Sequence, residues 1–173
     1  AIEYYNKGDY QRAMNLLDGV RSVFVGQAKA QNIAYYRAFC SYNMKDYQIA
    51  SDLFKQFIQT YPESSFAEEC LYMMGFCDYK ASPKPRLDQQ VTEKAIREFQ
   101  LYLSRYPYSM RKDKVNTYMD EMRDKLSYKA YLSAKNYYLR EHYKAAVISL
   151  QNCLKDYPGS KYREEIMYML FVS

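Results

Sequence analysis

The sequence repeats Tyr61-Pro62-Glu63-Ser64 twice more, as Tyr106-Pro107-Tyr108-Ser109 and Tyr157-Pro158-Gly159-Ser160. Each copy begins eleven residues after an alanine, and a degenerate copy at 24–27 keeps that interval; the alanines are Ala13, Ala50, Ala95 and Ala146. Regular spacing of this kind indicates one supersecondary unit that is used repeatedly. A repeat array offers a long surface rather than an active site, so the pattern favours a binding scaffold.

Each repeat predicts a helix that starts shortly before the alanine and ends at the Tyr-Pro pair. Asp9, Asp46 and Thr92 precede the alanines and have side-chain oxygens suited to capping the free amides of a first turn. Proline cannot continue a helix, and it biases the preceding residue away from helical geometry. The serine after the turn can cap the following helix, so each copy of the motif links two helices.

Another helix precedes each of these, and its pattern also repeats. Tyr35, Ala38, Phe39 and Tyr42 recur 37 residues later as Tyr72, Gly75, Phe76 and Tyr79. Residues 160–169 copy 64–73, so a fifth repeat begins at 160. Helix pairs with a small residue, an alanine and a terminal proline resemble tetratricopeptide repeats, which are about 34 residues long.

We therefore predict an all-α fold, an α-solenoid of tetratricopeptide-like helix pairs with about four repeats plus the start of a fifth. Stacked repeats share one core, so a single array should cover 1–173. Its repeats are placed roughly at 1–26, 27–63, 64–108, 109–159 and 160–173. Residues 81–90 are interpreted as a loop inserted within the third repeat, and 109–126 as an additional helix before the fourth.

Composition supports a recognition surface. Tyrosine is unusually abundant, with 22 residues, and it combines an apolar ring with a polar tip, which suits surfaces that are both buried and wet. The net charge of +5 lies entirely in 104–173, which has 13 basic and 8 acidic side chains against 12 and 12 in 1–103. A moderately basic half suits an acidic partner or an anionic lipid surface. It is too mixed to favour nucleic acid.

Neither cofactor nor metal is expected. The four cysteines form no Cys-x-x-Cys pair, and His142 is the only histidine, which argues against a zinc site. Cys40 and Cys77 occupy equivalent repeat positions, so we expect small buried packing residues, with a disulfide in an oxidising compartment as the alternative. No apolar run reaches the roughly 20 residues that span a membrane. The chain starts in mid-helix, so we expect its true N-terminus to lie upstream.

The third repeat carries a pattern more specific than the repeat class. Ser82-Pro83-x-x-x-Leu87-Asp88-Gln89-x-x-Thr92-x-x-Ala95-Ile96-x-x-Phe99 resembles BamD-type outer-membrane β-barrel assembly lipoproteins, and Met122-Arg123-Asp124-Lys125-Leu126 extends the resemblance. It covers essentially all 173 residues. Such proteins are helical-repeat lipoproteins on the periplasmic face of the outer membrane. The resemblance implies a lipid anchor on an N-terminal cysteine outside this chain.

The resemblance further implies two classes of partner. One is the POTRA region of the barrel-forming assembly protein, for which Arg123, Asp124 and Lys125 are candidate contacts, since charge pairs set register and association rate. The other is the unfolded outer-membrane barrel protein. An aromatic line on the first helices is the candidate substrate groove, with core packing as the alternative; it comprises Tyr5, Tyr35, Phe39, Tyr42, Tyr72, Phe76 and Tyr79.

The insertion offers a third candidate site at Arg86, Leu87 and Asp88, because long loops inside compact arrays are often functional. The structural alternative has Leu87 plugging the array and Asp88 capping the next helix. No phosphate loop, nucleophile elbow or metal cluster points to an enzyme. The function predicted is a non-enzymatic scaffold of the β-barrel assembly machinery. A generic adaptor that binds peptide tails in another envelope or cytoplasmic complex is the alternative.

Overall fold

The computed structural model describes residues 1–172, and Ser173 lies outside the described residues. Within that range the chain forms nine α-helices, one short 3-10 helix at Ser22–Phe24, and no β-strand. The helices are α1 Ile2–Asn6, α2 Tyr10–Arg21, α3 Lys29–Asn43, α4 Tyr47–Thr60, α5 Ala67–Ala81, α6 Gln90–Arg105, α7 Lys112–Leu139, α8 Tyr143–Asp156 and α9 Arg163–Val172. Each helix from α1 to α5 packs against the next, and α8 packs against α9. The predicted all-α, tetratricopeptide-like solenoid is confirmed.

The chain divides into two compact units. The N-terminal compact unit comprises 1–82 and 90–115, and the C-terminal compact unit comprises 83–89 and 116–172. The four motif alanines are fully buried, three in the first unit and Ala146 in the second. Burial of such small side chains lets neighbouring helices approach closely, as the repeat pattern predicts.

The Tyr-Pro-x-Ser turn has the same geometry in all three copies. The tyrosine N–H closes the last helical turn, as in the bond of 2.8 Å from the Tyr61 amide to the Phe57 carbonyl. The serine hydroxyl then accepts a bond of 3.2 Å from the backbone N–H two residues further on, at Phe66, Arg111 and Tyr162. This bond orders the turn itself. The prediction that the serine caps the next helix is wrong for α5, where Phe66 occupies the cap position and no side chain makes a capping bond.

The same serines also bind side chains on earlier helices. Ser64 Oγ donates to Gln31 Oε1 at 2.9 Å, and Ser160 Oγ accepts from Ser127 Oγ at 2.7 Å, in each case 33 residues back. Ser109 Oγ donates to Glu68 Oε1 at 2.7 Å across the longer third repeat. Each motif therefore fixes the turn to an earlier helix of its compact unit.

Two of the three predicted helix caps differ in the structure. Asp9 accepts a bond of 3.2 Å from the Arg12 amide, as predicted. Asp46 occupies the cap position of α4, but its side chain makes no capping bond. The prediction for Thr92 is wrong because α6 begins two residues earlier, at Gln90. The Thr92 hydroxyl instead lies 2.6 Å from Ser82 Oγ.

The additional helix predicted at 109–126 does not end before the fourth repeat. It continues as α7 for 28 residues, from Lys112 to Leu139. Neither glycine nor proline occurs within these residues, so no local signal stops the helix. The sequence predicts two separate helices here, the added helix and the first helix of the fourth repeat. The structure corrects this to one continuous helix.

All four cysteines are buried free thiols in the described chain. Burial raises the pKa of Cys40 to about 11 and that of Cys70 to about 12, with nearby carboxylates adding to the effect. The predicted packing role is confirmed, since Cys40 and Cys77 are both fully buried.

Candidate functional site

The aromatic line lies within the N-terminal compact unit, and its rings contact one another along α3 and α5. The Tyr35 and Phe39 ring centroids are 4.6 Å apart, and Phe39 is 6.5 Å from Tyr42. Tyr42 then contacts Phe76 across the two helices at 6.2 Å, and Phe76 stacks on Tyr79 at 5.9 Å. The structure therefore brings five of the seven predicted rings into one continuous path.

The remaining two rings occupy different environments. Tyr72 is only 8% exposed and stacks on Phe76 at 5.7 Å, so it belongs to the core beneath the path. Tyr5 joins through Tyr36, at a centroid distance of 5.2 Å, and accepts a bond of 3.2 Å from Asn43 Nδ2. Every ring of the line except Tyr72 is partly exposed. The line is thus a packed row of rings whose edges reach solvent.

Charged groups accompany this aromatic surface. The Tyr35 hydroxyl donates to Glu69 Oε2 at 2.8 Å, and burial together with this bond raises the tyrosine pKa. The Arg111 guanidinium lies 4.8 Å from the Tyr72 ring centroid and 3.8 Å from Glu69. Lys80 lies 5.3 Å from the centroid of Phe76. Cations over ring faces hold the rings in place and leave polar groups beside them.

A separate cavity of about 590 Å³ lies between α3, α4 and residues 25–28 of the same unit. Its apolar wall includes Ile33, Leu53 and Phe57, and Arg37 lies at its edge in a 2.6 Å ion pair with Asp18. The aromatic line contributes none of the described lining residues. The N-terminal compact unit therefore has two distinct surfaces, of which the sequence pattern predicted one.

Sequence analysis missed a buried polar cluster between α4, α5 and α6. Lys94 Nζ lies 2.9 Å from Asp78 Oδ2, which also accepts a bond of 3.0 Å from Ser51 Oγ. Glu98 Oε1 is 3.7 Å from Lys94, and its Oε2 is buried with no hydrogen-bond partner in the described chain. Burial, followed by its interaction with Asp78, raises the pKa of Glu98 to about 8. The only sequence signal was an aspartate within the apolar run of α5.

The three charged candidates on α7 differ in their surroundings. Arg123 is exposed and pairs with Asp120 at 3.0 Å, one helical turn earlier. Asp124 is exposed and accepts a bond from Lys161. Lys125 is partly buried, and this burial lowers its pKa. Successive helical residues project about 100° apart, so one flat partner surface would favour Arg123 and Asp124 over all three together.

The insertion is an ordered loop in the C-terminal compact unit. Gln89 is 3% exposed and donates to the carbonyls of Lys84 at 2.8 Å and Leu87 at 3.1 Å. Lys129 on α7 donates to the same Leu87 carbonyl at 2.9 Å. The Leu87 side chain is 58% exposed, so the alternative in which it plugs the core is wrong. The sequence pattern does not predict the role of Gln89, whose buried amide holds the loop.

Helix pairs linked by Tyr-Pro-x-Ser turns, with partly exposed rings along their first helices, define a helical-repeat protein of the tetratricopeptide type. A family model described as the outer membrane lipoprotein YfiO matches residues 1–172. This chain belongs to that family, which confirms the resemblance to BamD-type lipoproteins. A search of curated proteins gives no match. Within 1–172, no helix is both long and apolar enough to cross a membrane.

Proposed function

We propose that the chain is a non-enzymatic scaffold subunit of the outer-membrane β-barrel assembly machinery. It acts on the periplasmic face of the outer membrane, held there by a lipid anchor. The family match supports this assignment, and the continuous aromatic path on α3 and α5 is the observation that carries the binding role. The proposal has two contacts, one with the POTRA region of the barrel-forming protein and one with unfolded barrel substrates.

The POTRA contact is assigned to the exposed face of α7 around Arg123. Reversing its charge as Arg123→Glu should weaken binding of the purified POTRA region about tenfold, because a rim charge pair would become a repulsion. Titration calorimetry measures the change. Arg123 is exposed and its ion pair with Asp120 lies within one helix, so the variant should keep the wild-type circular dichroism spectrum.

Arg97→Glu is the matched control for this experiment. Arg97 is an exposed arginine on α6 whose ion pair with Glu93, at 4.0 Å, also lies within one helix. Its reversal should leave the POTRA affinity unchanged. Equal affinity of wild type and Arg123→Glu would remove the α7 contact from the proposal. A folded wild-type chain that fails to bind the POTRA region would favour the adaptor alternative.

The substrate contact is assigned to the aromatic path. Tyr79→Ala should weaken binding of an unfolded, aromatic-rich barrel segment about fivefold, because a ring pair contributes roughly 0.5–1.5 kcal/mol beyond its buried area. Fluorescence anisotropy with a labelled segment gives the affinity. The ring is partly exposed, so its removal should affect binding more than folding.

Tyr108→Ala provides the comparison, since this ring is 98% exposed in a turn and belongs to no part of the path. Its affinity for the segment should match wild type. If Tyr79→Ala and Tyr108→Ala lose affinity equally, tyrosines anywhere on the surface contribute to binding, whether or not they belong to the path. The groove assignment would then fail, while the POTRA contact would stand on its own test.

A further inference from the structure

A cleft of about 730 Å³ in the C-terminal compact unit has no role in the proposed function. It lies between the second half of α7, the tip of the insertion and the residues that precede α9. Its walls include Leu132 and Leu139 of α7, and Leu139 is 67% exposed. A concave surface lined by apolar and aromatic side chains is typical of binding sites.

One side of the cleft is a stack of three tyrosines. The Tyr131 and Tyr162 rings are nearly parallel with centroids 4.4 Å apart, and Tyr128 lies 5.3 Å from Tyr162. Tyr131 is buried, so the stack is anchored in the core of the unit. A rigid aromatic wall favours binding of apolar or aromatic side chains because little conformational freedom is lost.

The charged residues lining the cleft are all basic, namely Arg86, Lys129 and Lys135. Lys135 is neutralised by Glu165 at 2.7 Å. Lys129 donates only to the Leu87 carbonyl, and Arg86 has no hydrogen bond or ion pair among residues 1–172. Two cations therefore face the cleft without a carboxylate partner in the described chain.

We propose that this cleft binds an acidic peptide segment in which carboxylates flank an apolar or aromatic side chain. The apolar side chain lies against the tyrosine stack, and its neighbouring carboxylates pair with Arg86 and Lys129. Charge-assisted bonds from a guanidinium to a carboxylate are among the stronger hydrogen bonds in proteins. The insertion thus supplies a binding residue, held in place by Gln89 and Lys129.

Two further groups favour a peptide over a lipid surface. Ser133 and Asn136 are exposed and line the cleft beside the apolar wall. A hydroxyl and a carboxamide can donate to and accept from peptide backbone groups, whereas acyl chains offer no such partners. The cleft contains neither Arg123 nor any residue of the aromatic line. A failed test of the cleft would therefore leave both contacts of the proposed function unaffected.

The test uses a short fluorescein-labelled peptide in which Phe and Leu alternate with Glu, and fluorescence anisotropy with the full chain. Arg86→Gln should weaken binding at least about fivefold, since it removes one charge-assisted contact. The same peptide with Gln in place of Glu should bind as weakly to wild type. Lys144→Gln removes an exposed lysine of α8 outside the cleft and should leave the affinity unchanged.

Three results would overturn the inference. One is a folded wild-type chain that does not bind the Glu peptide, and another is equal affinity for wild type and Arg86→Gln. The third is binding to phosphatidylglycerol vesicles that requires Arg86, with no binding of the peptide, which would assign the cleft to a lipid surface. Arg86 is exposed and makes no hydrogen bond or ion pair among residues 1–172, so circular dichroism of Arg86→Gln should match wild type.

Discussion

Lys94→Met should destabilise the N-terminal compact unit by about 3 kcal/mol at pH 7. The substitution removes the cation that lies 2.9 Å from Asp78, a carboxylate only 1% exposed. Removing one partner of a buried ion pair leaves the other charge without compensation. The Lys94 side chain is 35% exposed, which places the loss at the low end of the range for such pairs. Urea denaturation followed by circular dichroism measures it.

A second substitution separates charge from packing. Lys94→Met combined with Asp78→Asn removes both charges, and the double variant should regain most of the lost stability. Lys112→Met replaces an exposed lysine in the first turn of α7 and should change the free energy of unfolding by less than about 0.5 kcal/mol. Equal losses for the single and double variants would show that the uncompensated charge of Asp78 is not the cause of the destabilisation.

Glu98→Gln should remove a large part of the pH dependence of stability. Burial holds the folded-state pKa of Glu98 near 8, above its ordinary value of 4.5. The stabilisation linked to this group is therefore complete below about pH 4.5 and is lost as the pH rises through 8. The free energy of unfolding of the wild type should fall across this window by an amount on the order of 3 kcal/mol.

The neutral amide of Glu98→Gln cannot titrate, so the variant should show a flatter profile and exceed the wild type in stability at pH 8. The charged groups around it are Asp78, Lys94 and Lys55, with Asp52 beside Lys94, and all four remain in both proteins. Glu93→Gln, an exposed neighbour on the same helix, should follow the wild-type profile. Urea denaturation from pH 5 to 8 compares the three. Parallel profiles for wild type and Glu98→Gln would contradict the assignment.

The helical pairs were predictable because their boundaries depend on local chemistry. Proline ends a helix wherever it occurs, so three copies of one motif predicted three turns correctly. The length of α7 was harder to predict from the sequence, since a helix without glycine or proline continues as far as packing allows. The start of α6 was also mispredicted. Thr92 has a suitable capping side chain, but the helix begins two residues earlier, at Gln90.

The candidate surfaces divide in a similar way. Rings at repeat spacing predicted the aromatic line, and the structure shows six of them in contact with another ring of the line. The partners of this surface are proposals. The cluster around Asp78 was not predictable, because a charged side chain on a helix usually faces water and nothing local marks the exception. The cleft behind Arg86 joins a loop to residues more than forty positions away, a proximity that only tertiary packing creates.

The buried cysteines also affect how the protein can be handled. Thiolates, rather than thiols, react with maleimides, and the raised pKa values of Cys40 and Cys70 keep those sulfurs protonated at neutral pH. All four native thiols are also shielded from solvent. A cysteine introduced at an exposed site such as Met110 would then carry a dye selectively in the otherwise native sequence. Dyes for distance measurements between the two compact units can therefore be attached without first replacing the native cysteines.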